Sequence, residues 1–145
     1  MAYREYHHQD ILRFFPDIKA RSLIHWAEIG IIIPLHEPEN KGGKRVYNYA
    51  NLIEIAVIRE LSGHGIDLRE IKRVVFAPEL QGAIKTGGGD DLLYYIQTGP
   101  DGETRERFEY VKEFDPDLFG WASTVLVNIG YLKKFVDKAL GEYVE

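Results

Sequence analysis

Apolar residues recur along the chain in short groups, and their spacing predicts mostly helix in the first half. Asp10 to Phe15 predicts a short apolar helix that Pro16 stops. Asp17 is placed to cap a second helix over Ile18 to Ala27, closed by Gly30. The β-rich run Ile31-Ile32-Ile33-Pro34 and the later Arg45-Val46-Tyr47 flank a polar stretch that holds Gly42-Gly43. Two extended pieces around such a turn predict a hairpin, with a basic tip made by Lys41, Lys44 and Arg45. Leu52, Ile55, Ile58 and Leu61 then recur at three-residue steps, widened by Ala56, which predicts a longer helix with one buried side. Asn48 supplies its cap and Gly63-His64-Gly65 its end. Asp67-Leu68-Arg69-Glu70 has the form of a capping box opening a helix from Leu68 to Phe76, with Leu68, Ile71 and Val74 or Val75 inside.

The pattern changes between Ala77-Pro78 and Gly87-Gly88-Gly89. Pro78 disfavours helix at Ala77, and three consecutive glycines read as a flexible joint. Residues 77–90 are therefore expected to link a head, 7–76, to a second part, 91–145. In that second part Leu92 to Thr98 and Glu103 to Lys112 predict two strands joined by the turn Gly99-Pro100-Asp101-Gly102. Phe108 and Tyr110 would share one face, with Arg105, Arg107 and Glu109 on the other. Asp115-Pro116-Asp117 has the composition of a helix start. From there Leu118, Ala122, Val125, Ile129, Leu132, Val136, Ala139 and Tyr143 alternate steps of four and three, a heptad seam. Trp121, Leu126, Phe135 and Leu140 broaden it. Such a helix has two surfaces to bury, one on its own hairpin and one on a second copy, so Val125, Ile129, Leu132, Val136 and Ala139 are the expected dimer interface.

Composition narrows the function. The chain has 145 residues, about one domain's worth, with 45% apolar and 28% charged residues, which is ordinary globular composition. Cysteine is absent, which excludes disulfides, thiolate metal sites and a cysteine nucleophile. No apolar run approaches the roughly 18 residues of a membrane span, and the start is not of the signal-peptide kind, so a cytoplasmic protein without a membrane partner is expected. Net charge is −5, unevenly spread. Residues 1–76 carry 11 Lys and Arg against 10 Asp and Glu, hence +1; residues 77–145 carry 7 against 13, hence −6. The two halves thus suit different partners. His7-His8 lacks companions for a metal site, the glycine run lacks the Lys-Ser/Thr of a phosphate loop, and no Ser/His/Asp set stands out. No enzymatic activity, cofactor or metal is expected. The hairpin aromatics Tyr94, Tyr95, Phe108 and Tyr110 suit either a small apolar ligand or packing on a neighbouring helix.

The run Arg21-Ser22-Leu23-Ile24-His25-Trp26-Ala27-Glu28-Ile29-Gly30-Ile31-Ile32 resembles the recognition helix of the MerR family of bacterial transcription regulators and the turn that follows it. Gly43-Lys44-Arg45-Val46-Tyr47-Asn48 is similar to the family's wing. The stretches 52–61 and 65–72 resemble the helix pair after the wing. Ile24 stands where the family usually has arginine, and His25-Trp26 where it usually has two tyrosines. The resemblance implies a winged helix-turn-helix head and a dimer helix; the family commonly runs straight from one to the other, whereas here a glycine linker and a hairpin intervene, so the expected fold is mostly α with small β: a winged helix-turn-helix head followed by a β-hairpin and a C-terminal dimerisation helix. It implies a sequence-specific regulator that binds a promoter operator in double-stranded DNA as a homodimer, with room for a small-molecule effector and contact with RNA polymerase. Lys19, Arg21, Ser22 and His25 would then meet bases or phosphates in the major groove, and Lys44, Arg45 and Tyr47 would meet the backbone from the wing. A winged-helix module for protein contact without DNA, and a ligand-binding hairpin, are the alternatives.

Overall fold

The computed structural model describes residues 4–38 and 43–143, in the order α1 (His8–Phe14), α2 (Ala20–Glu28), α3 (Tyr49–Gly63), α4 (Leu68–Val75), α5 (Pro78–Thr86), β1 (Leu92–Thr98), β2 (Thr104–Tyr110), β3 (Ser123–Asn128) and α6 (Ile129–Tyr143). The axis of the head is α3. Asn48 caps it, its side chain accepting from the Asn51 amide at 2.9 Å while the Asn51 side chain accepts from the Asn48 amide at 3.0 Å. This reciprocal pair satisfies two amides that a helix start leaves without partners. Leu52 through Ile58 are all buried, so α3 is enclosed on every side over two turns rather than along one stripe. After Gly65, at φ +77°, Asp67 caps α4, accepting from the Arg69 amide at 2.7 Å. Glu70 does not reach back as expected; its carboxylate pairs with Arg73.

The segment expected to be a linker is mostly helix. Pro78 sits in the first turn of α5, where its missing N–H costs nothing, and Leu80, Ala83 and Ile84 are buried at helical spacing. The triple glycine is also anchored. Gly87 ends α5 in the left-handed region at φ +74°, and the buried Lys133 ammonium donates to the carbonyls of Gly87 at 2.9 Å and Gly88 at 2.7 Å.

β1 is the centre of a three-stranded antiparallel sheet of order β2-β1-β3. The hairpin β1–β2 is as expected, with Tyr94 opposite Phe108 and Leu92 opposite Tyr110. The third strand is not. Ser123 to Asn128 pairs with the other side of β1, Ile96 opposite Val125, where the sequence pattern predicts the first half of a heptad helix. The helix itself begins only at Ile129, with the Asn128 side chain accepting from the Tyr131 amide at 2.9 Å. One sheet face carries Leu92, Tyr94 and Ile96 into a core shared with Ile11, Phe15, Leu23 and Ile55 of the head, Leu80 of α5, and Ile129 and Val136 of α6. The other face is covered by the segment before β3: the Phe114 ring meets Tyr95 edge-on at 5.5 Å, and the buried Gln97 amide donates to the Asp117 carbonyl at 2.8 Å.

That shared core corrects the expected dimer seam. Ile129, Leu132 and Val136 are buried within the single chain, packed among residues of its own head and sheet. Ala139 is half-buried against the same core, and Val125 belongs to β3 rather than to a helix. The central apolar positions of the last helix are thus used inside the protein, while Phe135 and Leu140 are partly buried and Tyr131 is exposed.

Candidate nucleic-acid interface

α1 and α2 form the helix-turn-helix. Leu23, Trp26 and Ala27 hold α2 in the head, Leu23 completely buried. The opposite side of α2 is therefore outward, and Lys19, Arg21, Ile24, His25 and Glu28 are exposed on it. Ser22 is half-buried. Lys19 occupies the N-cap position and no side chain caps the helix start. Asp17, expected as the cap, instead accepts from the Arg59 Nε at 2.9 Å. The first turn of α2 thus offers the positive end of its dipole and two cationic side chains to an anion, which is how a recognition helix meets a phosphate backbone. The Arg59 guanidinium also lies over the Phe15 and Phe135 rings, at 5.7 and 5.8 Å, so one side chain joins the turn before α2, α3 and α6.

The wing is a short antiparallel bridge. His36 and Val46 exchange backbone hydrogen bonds of 3.1 and 3.0 Å, and Tyr47 exchanges a pair of 2.8 Å with Tyr6, which fixes the strand to the chain just before α1. Lys41 and Gly42 of the expected tip lie outside the described residues. Lys44 is exposed and Arg45 is half-buried. The Arg45 Nε donates to both carboxylate oxygens of Glu37, at 2.9 and 3.1 Å, a pairing that the sequence pattern does not reveal. Burial and the nearby Arg45 charge together push the His8 imidazole below its ordinary pKa. Tyr47 is 1% exposed, so its hydroxyl is not a phosphate contact. Burial pushes its pKa up, and its ring fastens the wing to the head. The structure therefore presents Lys19, Arg21 and His25 together on α2, presents Lys44 and Arg45 on the wing, and withdraws Tyr47.

Ile24, an aliphatic side chain 40% exposed, lies between the polar residues of this outer face, with Ile29, 39% exposed, beyond its C-terminal end. The helical period gives the signal, since Ile24 lies three residues after Arg21 and four before Glu28 while the buried face runs through Leu23, Trp26 and Ala27. Among the described residues no group of three His, Asp or Glu side chains could hold a metal ion, and no helix is long and apolar enough to cross a membrane.

A helix-turn-helix whose second helix shows its cations outward, followed by a tethered basic wing, is the architecture of a DNA-binding transcription regulator. Residues 17–76 match the family model described as MerR HTH family regulatory protein, which supports membership of that family for this segment. The match takes in α2, the wing, α3 and α4 and ends at Phe76, so α5, the sheet and α6 lie beyond it. Comparison with curated proteins found no match.

Proposed function

We propose that the protein regulates transcription by binding a promoter operator in double-stranded DNA as a homodimer, α2 lying in the major groove and the wing resting on the flanking backbone. The observation that carries this reading is the uncapped, outward start of α2 with Lys19, Arg21 and His25 exposed along it. Affinity for duplex comes mainly from such cations replacing the counterions of phosphates, and specificity from those that reach base edges. Arg21, in the first turn, has the reach and the two-pronged geometry for a guanine. The role is regulatory rather than enzymatic. An effector and RNA polymerase would act through residues 77–145, the acidic half beyond the family match.

Because Ile129, Leu132 and Val136 are buried inside the chain, they do not supply the pairing surface. The two sheet edges differ. β2 carries Arg105, Glu106, Arg107 and Glu109, charges of the kind that keep an edge strand from pairing. β3 has no charged residue, and its Leu126 is 41% exposed. Gln97 binds both Thr124 Oγ1 and the Asp117 carbonyl, which brings the loop bearing the exposed Leu118 and Phe119 beside this strand. A two-fold pairing of β3 with β3 joins these apolar groups without opposing like charges. It also gives the dimer two heads for two half-sites.

The alternative of a ligand at the hairpin has less support. Tyr94 packs on Phe108 at 5.1 Å and donates its hydroxyl to Glu106, and Tyr95 packs on Phe114 and donates to Glu109. The rings occupy one another's surroundings. Duplex binding measured against salt tests the proposal: log affinity falls steeply and linearly with log salt for a phosphate-binding head, whereas a protein-contact module shows no duplex binding even at low salt.

A further inference from the structure

We infer that Ile24 is a specificity residue that reads the 5-methyl group of a thymine in the major groove. The inference rests on the proposed docking of α2 and goes beyond it by naming a base and the chemical group recognised. Ile24 is 40% exposed, so part of its aliphatic side chain faces outward from the helix. Its neighbours on the same face, Arg21, His25 and Glu28, are exposed as well, while the helix is fixed from behind by Leu23 and Trp26. Ile24 is thus presented on a rigid element, one turn after the arginine nearest the helix start. Within the major groove the one apolar group a base pair displays is the thymine methyl. Phosphates and the other base edges are hydrogen-bonding groups, and an isoleucine facing them would strip their water without replacing it. Glu28, a further turn along, is repelled by the backbone and favours a dock in which the N-terminal half of α2 enters the groove and its C-terminal end stays out. Ile24 then lies on the docked surface one turn after Arg21, within reach of a neighbouring base pair.

The test uses the intact chain. A duplex is selected from a random pool by the wild-type protein, and each thymine is then replaced in turn by deoxyuridine, which keeps every hydrogen bond and removes only the methyl group. One position per half-site is expected to weaken binding by about fourfold, the transfer value of one methyl-sized group. In Ile24→Ala the same replacement is expected to have no effect. Ile24→Val, which shortens the side chain by one methyl group, is expected to show a smaller loss at the same position. Ile24 is 40% exposed, so both variants are expected to stay folded, which their melting profiles check. If no thymine is methyl-sensitive, or if Ile24→Ala retains the full sensitivity, the inference is overturned while the DNA-binding reading stands. If the wild-type protein selects no duplex at all, both fall.

Discussion

Replacing Glu37 by glutamine isolates the contribution of the wing. In the structure the Glu37 carboxylate holds the Arg45 Nε with both oxygens, at 2.9 and 3.1 Å. A guanidinium engaged in this way has to leave or share its partner before it can grip a phosphate. The side chains are 26% and 51% exposed, so the pair belongs with surface ion pairs, worth about 0.2–1 kcal/mol. Removing the carboxylate charge therefore tightens duplex binding by roughly 1.4- to 5-fold for each head. Arg45→Ala acts in the opposite direction and lowers the salt slope by about 0.9 for each phosphate that the arginine no longer neutralises. In the Arg45→Ala background, Glu37→Gln has only the smaller effect of removing a nearby negative charge. Fluorescence anisotropy of a labelled duplex, titrated at several salt concentrations, measures all four proteins. Equal affinity and equal slope across the set would show that the wing does not touch DNA, and weaker binding by Glu37→Gln would show that the carboxylate, not the arginine, is the group that meets the duplex.

Four further substitutions test the fold that supports the site and the proposed pairing edge. Lys133→Met removes two charge-assisted hydrogen bonds to the Gly87 and Gly88 carbonyls but keeps most of the stem volume. Both glycines are exposed and can rehydrate, so the loss is about 2 kcal/mol, or a fall of roughly 4–8 °C in Tm by calorimetry; an unchanged Tm would refute the anchoring role. Glu54 is buried between Asn51 and Gln81, which donate to it at 3.0 and 2.8 Å, and desolvation outweighs these bonds and raises its pKa. A carboxyl with a raised folded pKa favours folding below its unfolded pKa and loses that contribution as pH rises through the folded value. Wild-type stability relative to Glu54→Gln should therefore decline upward from the ordinary glutamate range, and a flat difference in urea melts across that range would contradict it. Leu126→Lys should give folded monomers by sedimentation, whereas Ile129→Lys, which buries a charge in the core, should unfold the chain; a dimeric Leu126→Lys protein would remove β3 from the interface.

Local chemistry makes much of the head legible. Asn48 and Asp67 are short polar residues directly before apolar periodic runs, and both cap where that position implies. The β1–β2 hairpin follows from a seven-residue apolar strand and a Gly-Pro-Asp-Gly turn. Sequence and structure part where two periodicities overlap. Leu118, Ala122, Val125 and Ile129 fit a heptad, but Ser123 to Asn128 is also rich in β-branched residues. What decides between them is long-range: β1 has a second edge to fill, and β3 fills it. Asp115-Pro116-Asp117 resembles a helix start, yet Asp117 closes a turn instead, accepting from the Phe119 and Gly120 amides at 3.0 and 3.1 Å. In α5 the reverse happens. Pro78 and the glycines have the composition of breakers, although Pro at the first turn and Gly at the end are where a helix tolerates them best. At the site, the exposed cations of α2 follow from helical spacing. The burial of Tyr47 and the Glu37–Arg45 pair depend on how the wing folds back onto α1, which no local pattern encodes.

Reading of an operator by paired α2 helices is tested most directly by comparing the duplexes that the wild-type chain and Arg21→Ala select from a random pool. The wild-type protein is expected to enrich two half-sites spaced by about one helical turn. Arg21→Ala is expected to bind that duplex more weakly by about 1–3 kcal/mol and to lose its preference at one base pair in each half-site. Identical selected sequences and identical affinities for the two proteins, or no enrichment by the wild type, would contradict it.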